Sequence, residues 1–111
     1  MHFIEPLYLS SNIRSEEKIK EKLSRRAGVA GLYLVCLSDR EDELFLLIPD
    51  EEFMHAPYHD IDVAVVGFAR GYITAKVLVK AIIDEILETE GSVDKTSVQH
   101  FFAARTGEGS L

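Results

Sequence analysis

Short apolar runs alternate along the chain with stretches of helical period, and each pattern predicts an element. Leu7-Tyr8-Leu9 is a brief β-compatible run behind Pro6. A proline suits an edge strand or a strand start, because it has no N–H to give a ladder. Residues 10–12, Ser-Ser-Asn, form a turn or cap cluster. Residues 15–27 predict a helix with apolar side chains every fourth position, Ile19, Leu23 and Ala27, on an otherwise charged surface. Glu16 and Glu17 open it and Arg25 and Arg26 close it, which complements the helix dipole. Glu16–Lys20 and Glu21–Arg25 pair at i,i+4, and Gly28 is the expected stop.

Residues 31–37 and 44–48 are continuous apolar runs joined by six polar residues, a pattern that predicts an antiparallel hairpin. Neither run alternates, so both faces are expected to be covered. Pro49 ends the second run, Asp50 is placed to cap a short helical segment through His55, and Pro57 stops it. Residues 61–68 predict a central strand. Residues 72–88 predict the main core helix, with Ile73, Val77, Leu78, Ala81, Ile82, Ile86 and Leu87 beside a polar stripe of Lys76, Lys80, Asp84 and Glu88. Gly91 ends it. A short last helix from Ser92 or Asp94 carries Val98, Phe101 and Phe102 on one side, and residues 106–111 read as a frayed tail. The predicted fold class is α/β (α+β), in one domain over residues 1–111. It has a single small mixed sheet of three to four strands, including one antiparallel hairpin, packed by two main helices and a short C-terminal helix. The connection through the first helix would be right-handed if the strands it joins were parallel.

Composition narrows the class. The 111 residues are 47% apolar and 28% charged, ordinary values for one globular domain. A single cysteine excludes an intramolecular disulfide framework. No apolar run approaches the roughly 20 residues of a membrane helix. The first six residues carry neither the basic nor the apolar region of a secretory signal. The expectation is a cytoplasmic protein that does not enter a membrane.

Charge is unevenly spread. The net charge is −7, yet six of the 12 basic residues lie at Arg14, Lys18, Lys20, Lys22, Arg25 and Arg26, a stretch of net +3. Residues 39–62 hold nine acids and one base. Overall negative charge argues against nucleic acid as the main partner, since phosphate neutralisation dominates that affinity. No aromatic side chain is interleaved in the basic stretch to stack on bases. The dipolar layout suits two solvated faces, or self-association of basic patch on acidic patch.

Three segments carry most of the resemblance to other sequences: Gly-Leu-Tyr-Leu-Val at 31–35, Leu-Leu-Ile-Pro at 46–49, and Asp-Val-Ala-Val-Val-Gly-Phe-Ala-Arg-Gly-Tyr at 62–72. They resemble a small family of uncharacterised bacterial proteins, a domain of unknown function. That resemblance implies no activity and no catalytic residue.

Two constellations hold candidate chemistry. The strand-turn-helix at residues 67–74 places Gly67, Arg70, Gly71 and Thr74 where helix N–H groups bind anions, outside the carboxyl end of a strand. Lys76 and Lys80 fall in the first half of that helix and Asp84, Glu85 and Glu88 in the second, against the dipole, which a bound anion would offset. Neither a G-x-G-x-x-G nor a P-loop sequence is present, and glycines at a tight, closely packed turn account for the same residues. The second constellation is His55, His59, Asp60 and Asp62, imidazole and carboxylate donors that suit zinc, iron or manganese, with His2 or His100 completing the set in space. Pro57 interrupts the helix that would align the two histidines, and a polar turn explains the same residues. Cys36 sits inside an apolar run as an inert core thiol. No nucleophile elbow or facing carboxylate pair is present, so no residue is assigned a catalytic role and no cofactor is required. The leading expectation is therefore a non-enzymatic domain acting by association, as a homodimer that hides its sheet edges. A binding module for a small anionic ligand at Gly67, Arg70, Gly71, Thr74 and Lys76 is the alternative, and the metal site a third. Val98, Phe101 and Phe102 either close the core or cover a partner, and core closure is expected.

Overall fold

The computed structural model describes residues 1–53 and 63–106. In chain order the elements are β1 (His2–Leu9), α1 (Glu16–Ser24), β2 (Leu32–Leu37), β3 (Phe45–Pro49), α2 (Asp50–Phe53), β4 (Ala64–Arg70), α3 (Tyr72–Glu90) and α4 (Lys95–Arg105). The four strands form one mixed sheet in the order β1-β4-β2-β3. β2 pairs antiparallel with β3, from Tyr33 opposite Pro49 to Leu37 opposite Phe45, which is the predicted hairpin. β4 is central. It runs antiparallel to β2 and parallel to β1. The strands joined by α1 therefore run in opposite directions, and the handedness rule for parallel connections does not apply to them.

Continuous apolar runs become strands covered on both faces. Leu34, Val35 and Cys36 are successive residues of β2, and all three are fully buried. On one face Leu7, Leu32, Leu34, Cys36, Ile48, Val65 and Phe68 pack with Ile19 and Leu23 of α1 and with Val29. On the other, Val35 and Val66 pack with Ile82 and Ile86 of α3 and with Val98, Phe101 and Phe102 of α4. The last three close the core, as expected. Phe102 meets Tyr8, Phe45 and Phe101 edge-on, a favourable arrangement of ring quadrupoles.

β4 carries one extra residue against β2. Val35 lies opposite Gly67 and Cys36 opposite Val65, so Val66 is the bulged residue. The bulge returns Phe68 to the α1 face, where Val65 also lies. β1 is irregular against β4 between Phe3 and Tyr8, the stretch that contains Pro6.

Several expected boundaries move, for local reasons. β1 begins at His2, well before Leu7, because His2 and Phe3 pair with Ala64 and Val65. α1 ends at Ser24 rather than before Gly28. Arg26 takes the left-handed conformation, φ 57°, while the Arg26 and Ala27 N–H groups bond to the Leu23 and Lys22 carbonyls. Two capping bonds thus terminate the helix without glycine. β4 continues through Arg70, because Leu32 and Tyr33 pair with Arg70 and Ala69. α3 extends to Glu90 and stops at Gly91, φ 79°. Asp94, not Ser92, caps α4, in a reciprocal pair of bonds with Ser97. Thr106 is no loose end: its N–H bonds to the Phe102 carbonyl at 3.0 Å and its hydroxyl to the Ala103 carbonyl at 2.9 Å. Residues 107–111 of the expected tail lie outside the described residues. No helix among the described residues is long and apolar enough to cross a membrane.

Candidate functional site: a basic crevice at the ends of β1 and β4

Parallel neighbours β1 and β4 end at the same edge of the sheet. The helix after β1 packs on one face and the helix after β4 on the other. Their connections diverge, and a crevice opens between them outside the strands' carboxyl ends. Open α/β sheets place ligands at such a switch point. Here the crevice encloses about 580 Å3 and is lined by Ser11, Asn12, Arg14, Ser15, Lys18, Ile19, Lys22, Val29 and Arg70.

Each wall has a local cause. Ser15 caps α1, its hydroxyl accepting the Lys18 N–H, and this fixes where the helix begins. Lys18 and Lys22 then recur at i,i+4 on the crevice side, one turn apart. Ile19 and Val29, both buried, supply the apolar part of the lining. Two acids of α1, Glu16 and Glu21, are engaged by basic partners. Glu16 pairs with Lys20 at 3.1 Å, Lys20 also pairs with Glu5 of β1, and Glu21 pairs with Arg25 at 3.2 Å. Among the described residues no carboxylate lines the crevice.

The loop from β1 to α1 is tied down at both ends. The Ser10 N–H donates to the Phe68 carbonyl at 3.1 Å, and the Ile13 N–H donates to the Ser10 carbonyl at 3.0 Å. Asn12 accepts from the Ser10 hydroxyl through Oδ1 and donates through Nδ2 to the Arg70 carbonyl at 2.9 Å. The Arg70 side chain is held as well, with one guanidinium nitrogen 2.8 Å from the Ala30 carbonyl. A guanidinium carries five N–H donors, so one such bond orients the group and leaves most of its donors over.

The five residues proposed from the strand-turn-helix separate in space. Arg70 lines the crevice. Gly67 lies inside β4, where a Cβ would meet the Tyr8 carbonyl at 2.7 Å, so its role is close approach of β1. Gly71, φ 95°, forms the one-residue turn into α3, and its N–H bonds to the Gly31 carbonyl at 2.8 Å. Thr74 sits in the first turn of α3 near Gly71. Lys76 extends over the Tyr72 ring, 5.5 Å from its centroid, and Lys80 pairs with Asp84 at 3.0 Å. Local partners thus accommodate Lys76, Lys80 and Asp84, three of the charges that run against the α3 dipole.

Sequence patterning places Arg14, Lys18 and Lys22 on a basic helix and Arg70 at a distant turn. Their convergence depends on the parallel pairing of β1 with β4. The local signal was the i,i+4 lysine pair directly after a strand-loop-cap segment.

His55, His59, Asp60 and Asp62 lie outside the described residues. Among the described residues no group of three or more histidine, cysteine or carboxylate side chains is placed to hold a metal ion. His100 Nδ1 lies 2.7 Å from the Glu90 carboxylate. Cys36 is fully buried in β2, and burial pushes its thiol up to about 12. Comparison with family models, with curated proteins and with solved structures finds no match to this chain.

Proposed function

We propose that this chain is a binding domain for a small, multiply anionic ligand, a phosphate ester or pyrophosphate, held in the crevice between the ends of β1 and β4. One observation carries the reading: Arg14, Lys18, Lys22 and Arg70, from three separate segments, line one concavity that no carboxylate among the described residues shares. Charge-assisted hydrogen bonds to phosphate are the strong ones, and guanidinium forks match its geometry. The volume of about 580 Å3 is that of a small-molecule site. The net charge of −7 opposes a long polyanion while leaving a local cationic crevice. A reduced, fully buried thiol fits the cytoplasmic setting expected from the sequence.

Thermal unfolding with added phosphate and pyrophosphate tests the reading. A ligand at 100 times its Kd stabilises by about 2.7 kcal/mol, on the order of ten degrees for a domain of this size. Arg70→Ala and Lys18→Ala should each lose much of the shift. An unchanged midpoint with both anions argues against the site.

A second observation favours self-association as a further property. Ile73 and Val77, at i,i+4 on α3, are 70% and 63% exposed, and Tyr72 and Leu87 of the same helix are half exposed. Exposed apolar patches mark interaction surfaces. A homodimer through α3 should sediment at twice the chain mass, and Val77→Glu should return it to one. A monomer at high concentration would count against that reading.

A further inference from the structure

We infer that the exposed face of α3 docks antiparallel on α3 of a second copy of this chain, with Lys80 of each copy against the partner's Asp84. The inference rests on the reading of that face as a surface for self-association and is independent of the crevice.

Ile73, Val77, Lys80, Asp84 and Leu87 follow one another at intervals of four, three, four and three residues. At 3.6 residues per turn, that spacing gathers them within about 80° of the helix circumference. All five are exposed. Ala75, Ile82 and Ile86, the buried residues of α3, lie on the opposite side of the helix. An alternation of four and three is the spacing of the seam between two packed helices. Here the seam points away from the protein's own core.

The seam is complementary to itself when reversed. Its order is apolar, apolar, cation, anion, apolar. Turned end over end, it sets Val77 opposite the partner's Leu87 and Lys80 opposite the partner's Asp84. Ile73 then meets the partner's Gly91, where a Cβ would find nothing within 4 Å. Each copy offers the same patch, as a two-fold interface requires. The central charges close into an alternating ring. Within one copy Lys80 lies 3.0 Å from Asp84, and across the seam each side chain faces the opposite sign. A parallel partner would set Lys80 against the partner's Lys80 and Asp84 against the partner's Asp84, and juxtaposed like charges are unfavourable.

The same geometry gives a reason for the charge order along α3. Lys76 and Lys80 occupy its first half and Asp84 and Glu88 its second, against its own dipole. An antiparallel neighbour lays its acidic half beside these lysines and its lysines beside these acids. Polar residues within an apolar seam fix register and orientation at some cost in affinity. In a wholly apolar groove of an unrelated partner the two charges would be desolvated with nothing to answer them.

Sedimentation velocity over a range of concentrations tests this on the unaltered protein, Lys80→Glu, Asp84→Lys and the double reversal. Lys80 and Asp84 are exposed, so these changes leave the core intact. The unaltered protein should reach twice the chain mass. Each single reversal should weaken the dimer by about ten-fold or more, because it sets like charges together at two places in the seam. The double reversal, and an equimolar mixture of the two single variants, should restore it. Orientation is read by cross-linking with a short bis-maleimide, to which the fully buried Cys36 is closed. Val77→Cys mixed with Leu87→Cys should link one variant to the other. Val77→Cys alone should not link, because its two thiols would lie about 15 Å apart along the seam at 1.5 Å per residue. A monomer at every concentration overturns the self-association reading and this inference with it. A dimer that ignores both single reversals, or is not restored by the double one, overturns the antiparallel seam and leaves self-association standing. So does a dimer in which Val77→Cys links to itself, or in which the mixed pair fails to link.

Discussion

Asn12 and Arg70, 58 positions apart, are joined by a 2.9 Å bond from the Asn12 amide to the Arg70 carbonyl. That bond ties the loop after β1 to the last residue of β4. The same amide accepts from Ser10, whose side chain is nearly buried. Asn12→Ala should therefore destabilise the fold by about 0.5–1.5 kcal/mol, the net worth of such a bond. It should also weaken anion binding, because it frees one wall of the crevice from the other. Urea denaturation and titration calorimetry read the two effects separately.

Gly67 tests whether the crevice depends on close packing of β1 against β4. An added methyl would lie 2.7 Å from the Tyr8 carbonyl and 3.2 Å from its Cβ. Backbone cannot yield as a flexible side chain does. Gly67→Ala should cost about 1–3 kcal/mol, as overpacked cores do. The midpoint of denaturant unfolding checks it.

Arg26 occupies a left-handed position, φ 57°, at the end of α1. That conformation costs a non-glycine residue roughly 1–2 kcal/mol. Arg26→Gly should relieve it and stabilise the fold by up to about 1 kcal/mol, since glycine's extra freedom in the unfolded chain offsets part of the gain. Arg26 does not line the crevice, so anion affinity should hold.

Cys36 makes the stability sensitive to alkaline pH. Burial raises its thiol from 9.0 to about 12, so the unfolded chain ionises first. The stability from this group is fully present below pH 9.0 and is lost as pH rises toward about 12. Tyr8 acts in the same direction, its hydroxyl raised by burial and by the bond to Glu85 at 2.8 Å. Thermal midpoints should fall across that window, less steeply in Cys36→Ala than in the unaltered protein. Thiol reagents should leave the folded protein unmodified and label it after unfolding.

The hairpin was legible because its two apolar runs and polar loop are local. So were α3 with its glycine stop and the aromatic face of α4. The bulge at Val66 was not, since it is defined only by the register of β4 against β2. The end of α1 was missed because Arg26 takes a conformation that glycine favours, a choice made by the two capping bonds around it. The crevice was half legible. The basic helix and Arg70 each stood out, but only the parallel pairing of β1 with β4 brings them together, and no periodicity encodes a contact across so much chain.

Amide chemical shifts followed during a pyrophosphate titration test the central claim most directly, because they report both binding and place. The account predicts saturable shifts concentrated in residues 11–22 and at Val29 and Arg70, weakened by added salt. Shifts that do not saturate, or that centre on α4 or the β2–β3 hairpin tip, would contradict it.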